Sequence, residues 1–109
     1  MSPNGRAQTQ ILRIVRRLSR RFRPDRIVLF GSRARGDHRT DSDVDLLVIM
    51  PVQGSIRVKR LEMRLAVHDI PLPKDILLVR PEEADVQVGI PGTLVRYALR
   101  EGKTLYARP

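Results

Sequence analysis

Phe30-Gly31-Ser32-Arg33-Ala34-Arg35-Gly36-Asp37-His38-Arg39-Thr40-Asp41-Ser42-Asp43-Val44-Asp45-Leu46-Leu47-Val48 joins two apolar runs through a polar turn. On the N-terminal side, Ile27 to Phe30 reads as a short buried strand. On the C-terminal side, Val44 to Met50 is apolar on both faces beyond Asp45, the pattern of a central strand covered on each side. Gly31-Ser32 stops the first strand. The polar segment from Arg33 to Ser42 is expected to begin with a helical turn capped by Ser32.

Asp43 and Asp45 lie two apart at the entrance of the second strand, so their side chains point to one face. Hydrophobic packing gives no reason to set two like charges side by side. A hard divalent cation does, because Mg²⁺ prefers oxygen ligands and accepts a couple of carboxylates alongside water and phosphate oxygens. A solvated turn is the plainer reading of an Asp-rich stretch. It suffices for Asp41, but it explains the Asp43, Asp45 and Gly31-Ser32 combination poorly. A third carboxylate is available downstream. Asp75 leads the apolar run Ile76 to Val79, with Leu77 and Val79 on its side, as Leu47 and Ile49 share the side of Asp43 and Asp45. Asp69 is a competitor, but it stands at a helix end rather than a strand start.

If the strands headed by Asp43 and Asp75 run parallel, the helix expected from Ser55 to about His68 is their crossover, and all three carboxylates meet at one edge. Gly31-Ser32 lies at the exit of its strand, so that strand must run antiparallel to the next for the two to meet. The sheet should therefore be mixed. Glycine lets the backbone approach a phosphate, and serine adds a hydroxyl and outward-pointing N–H groups. Arg33, Arg35 and Arg39 follow closely. At least one of them is expected to touch phosphate, though each alone is as readily a solvated cation.

Outward from this centre, Gln8 to Phe22 carries apolar residues at Ile11, Ile14, Val15, Leu18 and Phe22, with arginines around the rest of the cylinder. Residues 1–7 read as a loose, flexible leader, and residues 8–109 as one domain. The helix from Ser55 has Ile56, Leu61, Leu65 and Ala66 as inner candidates. Pro81 opens a short helical turn. Thr93 caps a last helix that Gly102 ends, and Thr104 to Tyr106 is a terminal extended piece. The whole is an α/β plan: a small mixed β-sheet flanked by helices.

The bulk properties fit this plan. The chain has 109 residues, 41% hydrophobic and 30% charged, with only 4% aromatic, so Leu, Ile and Val must fill the core. Lys plus Arg number 21 against 12 Asp plus Glu, a formal charge of +9 that favours polyanions. No cysteine is present, which excludes disulfides and thiolate metal or redox chemistry. No apolar stretch is long enough for a bilayer and no signal-peptide core is visible, so a cytoplasmic location and no membrane role are expected. The first-helix arginines read as a solvated face or as a dock for an acidic partner or nucleic acid. No aromatic residues interleave with them to support the last of these.

The run Phe30 to Asp37, followed by Asp41 to Val48 with ten residues between Ser32 and Asp43, resembles the signature of the DNA polymerase beta-like nucleotidyltransferase superfamily. It is most similar to the minimal nucleotidyltransferases of bacteria and archaea. Arg100-Glu101-Gly102-Lys103-Thr104-Leu105-Tyr106 also resembles the usual ending of that family, so the similarity covers nearly all of the chain after the leader.

The resemblance implies a polymerase beta palm-like fold and a nucleoside triphosphate, ATP, bound with two Mg²⁺ ions. Asp43, Asp45 and Asp75 would be the metal ligands and the catalytic carboxylates, with Asp75 helping to activate the acceptor. Gly31 and Ser32 would hold the β- and γ-phosphates. Larger members add a helical acceptor-binding domain, for which 109 residues leave no room. Minimal members commonly pair with a separate helical HEPN-domain protein, as antitoxin to toxin, and some transfer AMP to a tyrosine of that partner. The expected activity is thus AMP transfer to a protein hydroxyl, within a homo- or hetero-oligomer. A non-catalytic antitoxin acting by contact and a basic nucleic-acid-binding protein are the alternatives. His38 is expected to be exposed, His68 to partner a helix C-terminus, and Tyr97 and Tyr106 to serve packing.

Overall fold

The computed structural model describes residues 3–39 and 41–109. Its elements run α1 (Pro3–Phe22), β1 (Arg26–Phe30), α2 (Ser32–Arg35), β2 (Val44–Ile49), α3 (Ile56–Ala66), β3 (Lys74–Val79), α4 (Pro81–Gln87), α5 (Leu94–Glu101) and β4 (Lys103–Ala107). One four-stranded sheet has the order β3-β2-β1-β4. β2 runs parallel to β3 and antiparallel to β1, and β1 pairs antiparallel with β4 across a bulge between Ile27 and Val28. This is the mixed sheet that the positions of the polar residues demanded.

Strand alternation sorts the core into two layers. Ile27, Leu29, Leu46, Val48, Ile76 and Leu78 meet Ile11, Ile14 and Leu18 of α1 and Met63 of α3 on one face. Val28, Phe30, Leu47, Ile49 and Val79 meet Ala84 of α4 and Val95 and Ala98 of α5 on the other. β1 and β2 are buried on both faces, which is why their sequences are unbroken apolar runs.

Side-chain caps set two helix starts. Ser55 Oγ accepts from Val58 N at 3.1 Å, and Thr93 Oγ1 accepts from Arg96 N at 3.1 Å. Pro81 sits in the first turn of α4, and Gly102 ends α5. Gly102 is there for space: a Cβ would lie 2.6 Å from the Leu29 carbonyl oxygen and 2.6 Å from Val28 Cγ1.

Three expectations are corrected. α1 begins at Pro3 rather than Gln8, so most of the expected leader is helical; Met1 and Ser2 lie outside the described residues. Proline and glycine are cheap in a first turn, whose N–H groups have no intrahelical partner, and Ala7 packs on the core. Ser32 does not cap α2. That position belongs to Gly31, and no side-chain cap bond is made. Leu61 and Leu65 do not face inward; they are 53% and 63% exposed, while Met63, Ala66 and Val67 are buried. Of the four inner candidates on α3, Ala66 is buried and Ile56 packs partly against the core. Among the described residues, no helix is long and apolar enough to cross a membrane.

Candidate active site

The parallel register of β2 and β3 sets Asp45 directly beside Asp75, and neighbouring strands lie about 4.8 Å apart. Asp43 immediately precedes β2 and shares the face of Asp45 by strand alternation. These carboxylates belong to the face covered by α4 and α5, at the sheet end those helices leave open. Asp45 is half-buried, and Asp43 and Asp75 are exposed. The electrostatics agree. Burial pushes the Asp45 carboxyl above the usual range, the negative charges of Asp75 and then Asp43 push it further, and Arg35 opposes them.

β1 delivers the glycine to the same place. Phe30 pairs with Asp45, so the next residue, Gly31, turns over the Asp45 carboxylate. Its φ of 79° is a left-handed value, and a Cβ there would overlap Asp45 Oδ2. The bare backbone at Gly31 therefore belongs to the carboxylate site itself. Its carbonyl accepts from Ala34 N and Arg35 N, each at 3.1 Å, which starts α2.

A cleft of about 600 Å³ opens here. Gly31, Ser32, Arg35, Asp45, Asp75 and Arg60 supply its polar lining, and Phe30, Leu77, Leu94 and Tyr97 its less polar wall. Arg35 is held from two sides. Its Nε donates to Asp37 Oδ2 at 3.2 Å and its Nη1 donates to the Tyr97 hydroxyl. Tyr97 stands edge-on to Phe30, with ring centroids 6.3 Å apart.

The three arginines expected near phosphate separate. Arg35 lines the cleft. Arg33 is 8% exposed, and its Nε donates to the Ser42 carbonyl at 3.0 Å. It faces a different pocket, with Leu29, His38 and Lys103. The reason is helical: two positions along α2 rotate a side chain by about 200°. Arg39 does not line the cleft; its backbone N donates to Ser42 Oγ at 2.8 Å. Asp69, the competitor of Asp75, pairs with Arg17 of α1 instead. His38 also departs from expectation, being partly buried beside Arg33.

Arg60 and Leu94 carried no sequence signal, and Tyr97 was assigned only to packing. Arg60 Nε donates to the Ile76 carbonyl at 2.7 Å and its Nη2 reaches Asp75 Oδ1 at 3.3 Å. Arg60 follows a helical pattern in which any basic residue reads as solvated. Tyr97 does pack, and its hydroxyl also reaches into the cleft.

Among the described residues, no group of three or more acidic, histidine or cysteine side chains is gathered tightly enough to enclose an ion, and Asp75 leans towards Arg60. The donor chemistry nevertheless suits a hard dication. All three groups are carboxylates, and their mutual repulsion at Asp45 is the kind that bound positive charge relieves.

The chain is similar to known proteins in both sequence and fold. A protein of Methanocaldococcus jannaschii, provisionally named as a protein adenylyltransferase, is 39% identical over 54 residues. That match spans 50% of this chain and about half, 54%, of the relative. A crystal structure of a Sulfolobus solfataricus protein, provisionally described as a nucleotidyltransferase, superposes with a TM-score of 0.65 at 22% identity. It covers 92% of this chain and 79% of the other, and it shows the shared fold. The family model for the nucleotidyltransferase domain matches residues 10–103, so both cleft walls fall within it and the chain belongs to the nucleotidyltransferase domain family.

Proposed function

We propose that this chain transfers AMP from ATP to a hydroxyl group on a protein, using two Mg²⁺ ions held by Asp43, Asp45 and Asp75. The observation that carries this reading is the pairing of Asp45 with Asp75 beneath a glycine whose backbone alone can occupy its position. When bound, the metal ions neutralise the triphosphate and the departing pyrophosphate. Gly31 and Ser32 hold the β- and γ-phosphates, and Arg35, fixed by Asp37 and Tyr97, adds a cation beside them. Phe30, Leu94 and Tyr97 give the nucleoside a surface to lie on.

In the transfer, the acceptor oxygen forms a bond to the α-phosphorus as the bond to the bridging oxygen breaks. Pyrophosphate leaves with the bridging oxygen. The acceptor proton passes to Asp75, the most exposed of the carboxylates on the cleft wall. The partial match to a relative named for protein adenylyl transfer supports this choice of reaction.

The resemblance to minimal nucleotidyltransferases supports a HEPN-domain protein as acceptor, with this chain as the antitoxin of a cytoplasmic pair. Exposed apolar side chains on α3, namely Val58, Leu61 and Leu65, suit a chain that works within an oligomer. The test is incubation with α-labelled ATP, Mg²⁺ and a HEPN-domain protein from the same source. Label is expected on that protein and lost with Asp45→Asn. Label staying on nucleotide while the wild-type chain is folded overturns the reading.

One observation favours a second reading. Asp75 is engaged by Arg60 rather than turned to its acidic neighbours, as suits a module that neutralises its partner by contact alone. In that case Asp43→Asn with Asp45→Asn leaves neutralisation intact.

A further inference from the structure

The cleft makes no use of the most strongly charged surface of the molecule. α1 contains six arginines and no acidic residue. Arg13, Arg16, Arg17, Arg20 and Arg21 follow one another at i, i+3, i+4, i+7 and i+8, so they share one face of the helix. They line a shallow groove by themselves. The opposite face of α1 is pinned to the sheet by Ile11, Ile14 and Leu18, so the arginines stand on a rigid support. An ordinary solvated helix face interleaves acids with bases. Among the described residues only Asp69 answers this row with an ion pair, and it pairs with Arg17. Arg13, Arg16, Arg20 and Arg21 are left exposed.

From this arrangement we propose that the arginine face of α1 docks the phosphate backbone of a double-helical nucleic acid, independently of base sequence. Guanidinium groups repeating every helical turn, about 5.4 Å, match a polyanion whose charges repeat along a line. The forked donors of arginine suit phosphate oxygens. The low aromatic content now selects among nucleic acids. A single-strand platform stacks bases on aromatic rings, whereas backbone contact to a duplex needs none. Phe22, at the edge of the apolar side of α1, packs partly on the core and has the Arg21 guanidinium over its ring. The face lies on the α1–α3 side of the sheet and the carboxylate cleft on the other, so this inference stands independently of the proposed transferase activity.

The experiment is fluorescence anisotropy of the full chain with labelled 20-base-pair RNA and DNA duplexes, repeated across a salt series. About three phosphate contacts should give a slope near −3 in log K against log salt. Arg16→Gln with Arg20→Gln should weaken binding about ten-fold or more and flatten the slope. Among the described residues neither side chain has a hydrogen-bond or ion-pair partner, and both are exposed, so the melting temperature should not move. Arg57→Gln with Arg100→Gln removes the same charge elsewhere and should leave binding within about two-fold. Equal loss from both pairs, or no duplex binding by the wild type, overturns the proposal. Tighter binding of a poly-glutamate peptide than of duplex at equal charge also overturns it, in favour of an acidic protein. Mg·ATP uptake, measured in parallel, reports the cleft separately.

Discussion

Asp45 carries two opposed demands. Burial and two like charges make its ionised form costly in the unliganded fold, and those same charges are what a dication needs. Its folded-state pKa is raised, so the fold binds this proton more readily than the unfolded chain does. The resulting penalty is absent at low pH and grows as pH rises through the folded value. Asp45→Asn should therefore raise rather than lower the melting temperature of the unliganded protein, by a margin that solvent at this half-buried carboxylate keeps small. Transfer should fall by about 100-fold or more. Differential scanning calorimetry beside a label-transfer assay checks both halves. The arginines divide on the same principle. Arg35→Gln should raise KM for ATP about ten-fold with little change in stability, because Arg35 is exposed at the cleft. Arg33→Gln should instead lower stability by about 1–3 kcal/mol, the range for breaking up a buried polar contact, as read by urea denaturation. Nothing in the order of residues separates these two arginines. The turn of α2 does.

β1, β2 and β3 were legible as elements because each contains an apolar run bounded by proline, glycine or aspartate, whereas β4 showed only as a short extended piece after Gly102. Their relative directions followed from demanding that Gly31, Asp43 and Asp75 meet. The face of α3 was not legible. It carries two apolar stripes, one through Met63, Ala66 and Val67 and one through Val58, Leu61 and Leu65, and helical periodicity fits both. Only the packing against the sheet decides between them. Tyr97 and Arg60 were hidden for a related reason: an amphipathic helix shows which residues turn inward, not which of the others overhang a neighbouring cleft. The junction of α5 with β1 makes its own prediction. Gly102→Ala would drive a methyl group into the Ala98 and Leu29 carbonyls. It should cost about 1–3 kcal/mol, the usual overpacking range, measured by chemical denaturation.

At the scale of the whole molecule, the sheet separates two territories. One face carries the acidic cleft beneath α5, the other the basic surface of α1. Away from the chemistry, on the basic side of the sheet, Arg17 of α1 donates to Asp69 and to the Ala66 carbonyl at the end of α3. The Asp69 carboxyl is held below its ordinary range by that hydrogen bond. A depressed folded pKa gives stability that is present above the unfolded value and lost as pH falls through the folded one. Asp69→Asn should therefore be slightly less stable than the wild type near neutral pH and converge with it at low pH, so that acid unfolding loses part of its steepness, as followed by circular dichroism. The pair is exposed, so salt should mute the difference.

The contact between Gly31 and Asp45 also bears on descent. Because any side chain at position 31 would collide with the carboxylate, that position can drift only after the acid beside it has lost its use. In a lineage of duplicated copies, a bulky residue at 31 would therefore mark a member that has given up chemistry and survives as a scaffold, even where every aspartate is still spelled out.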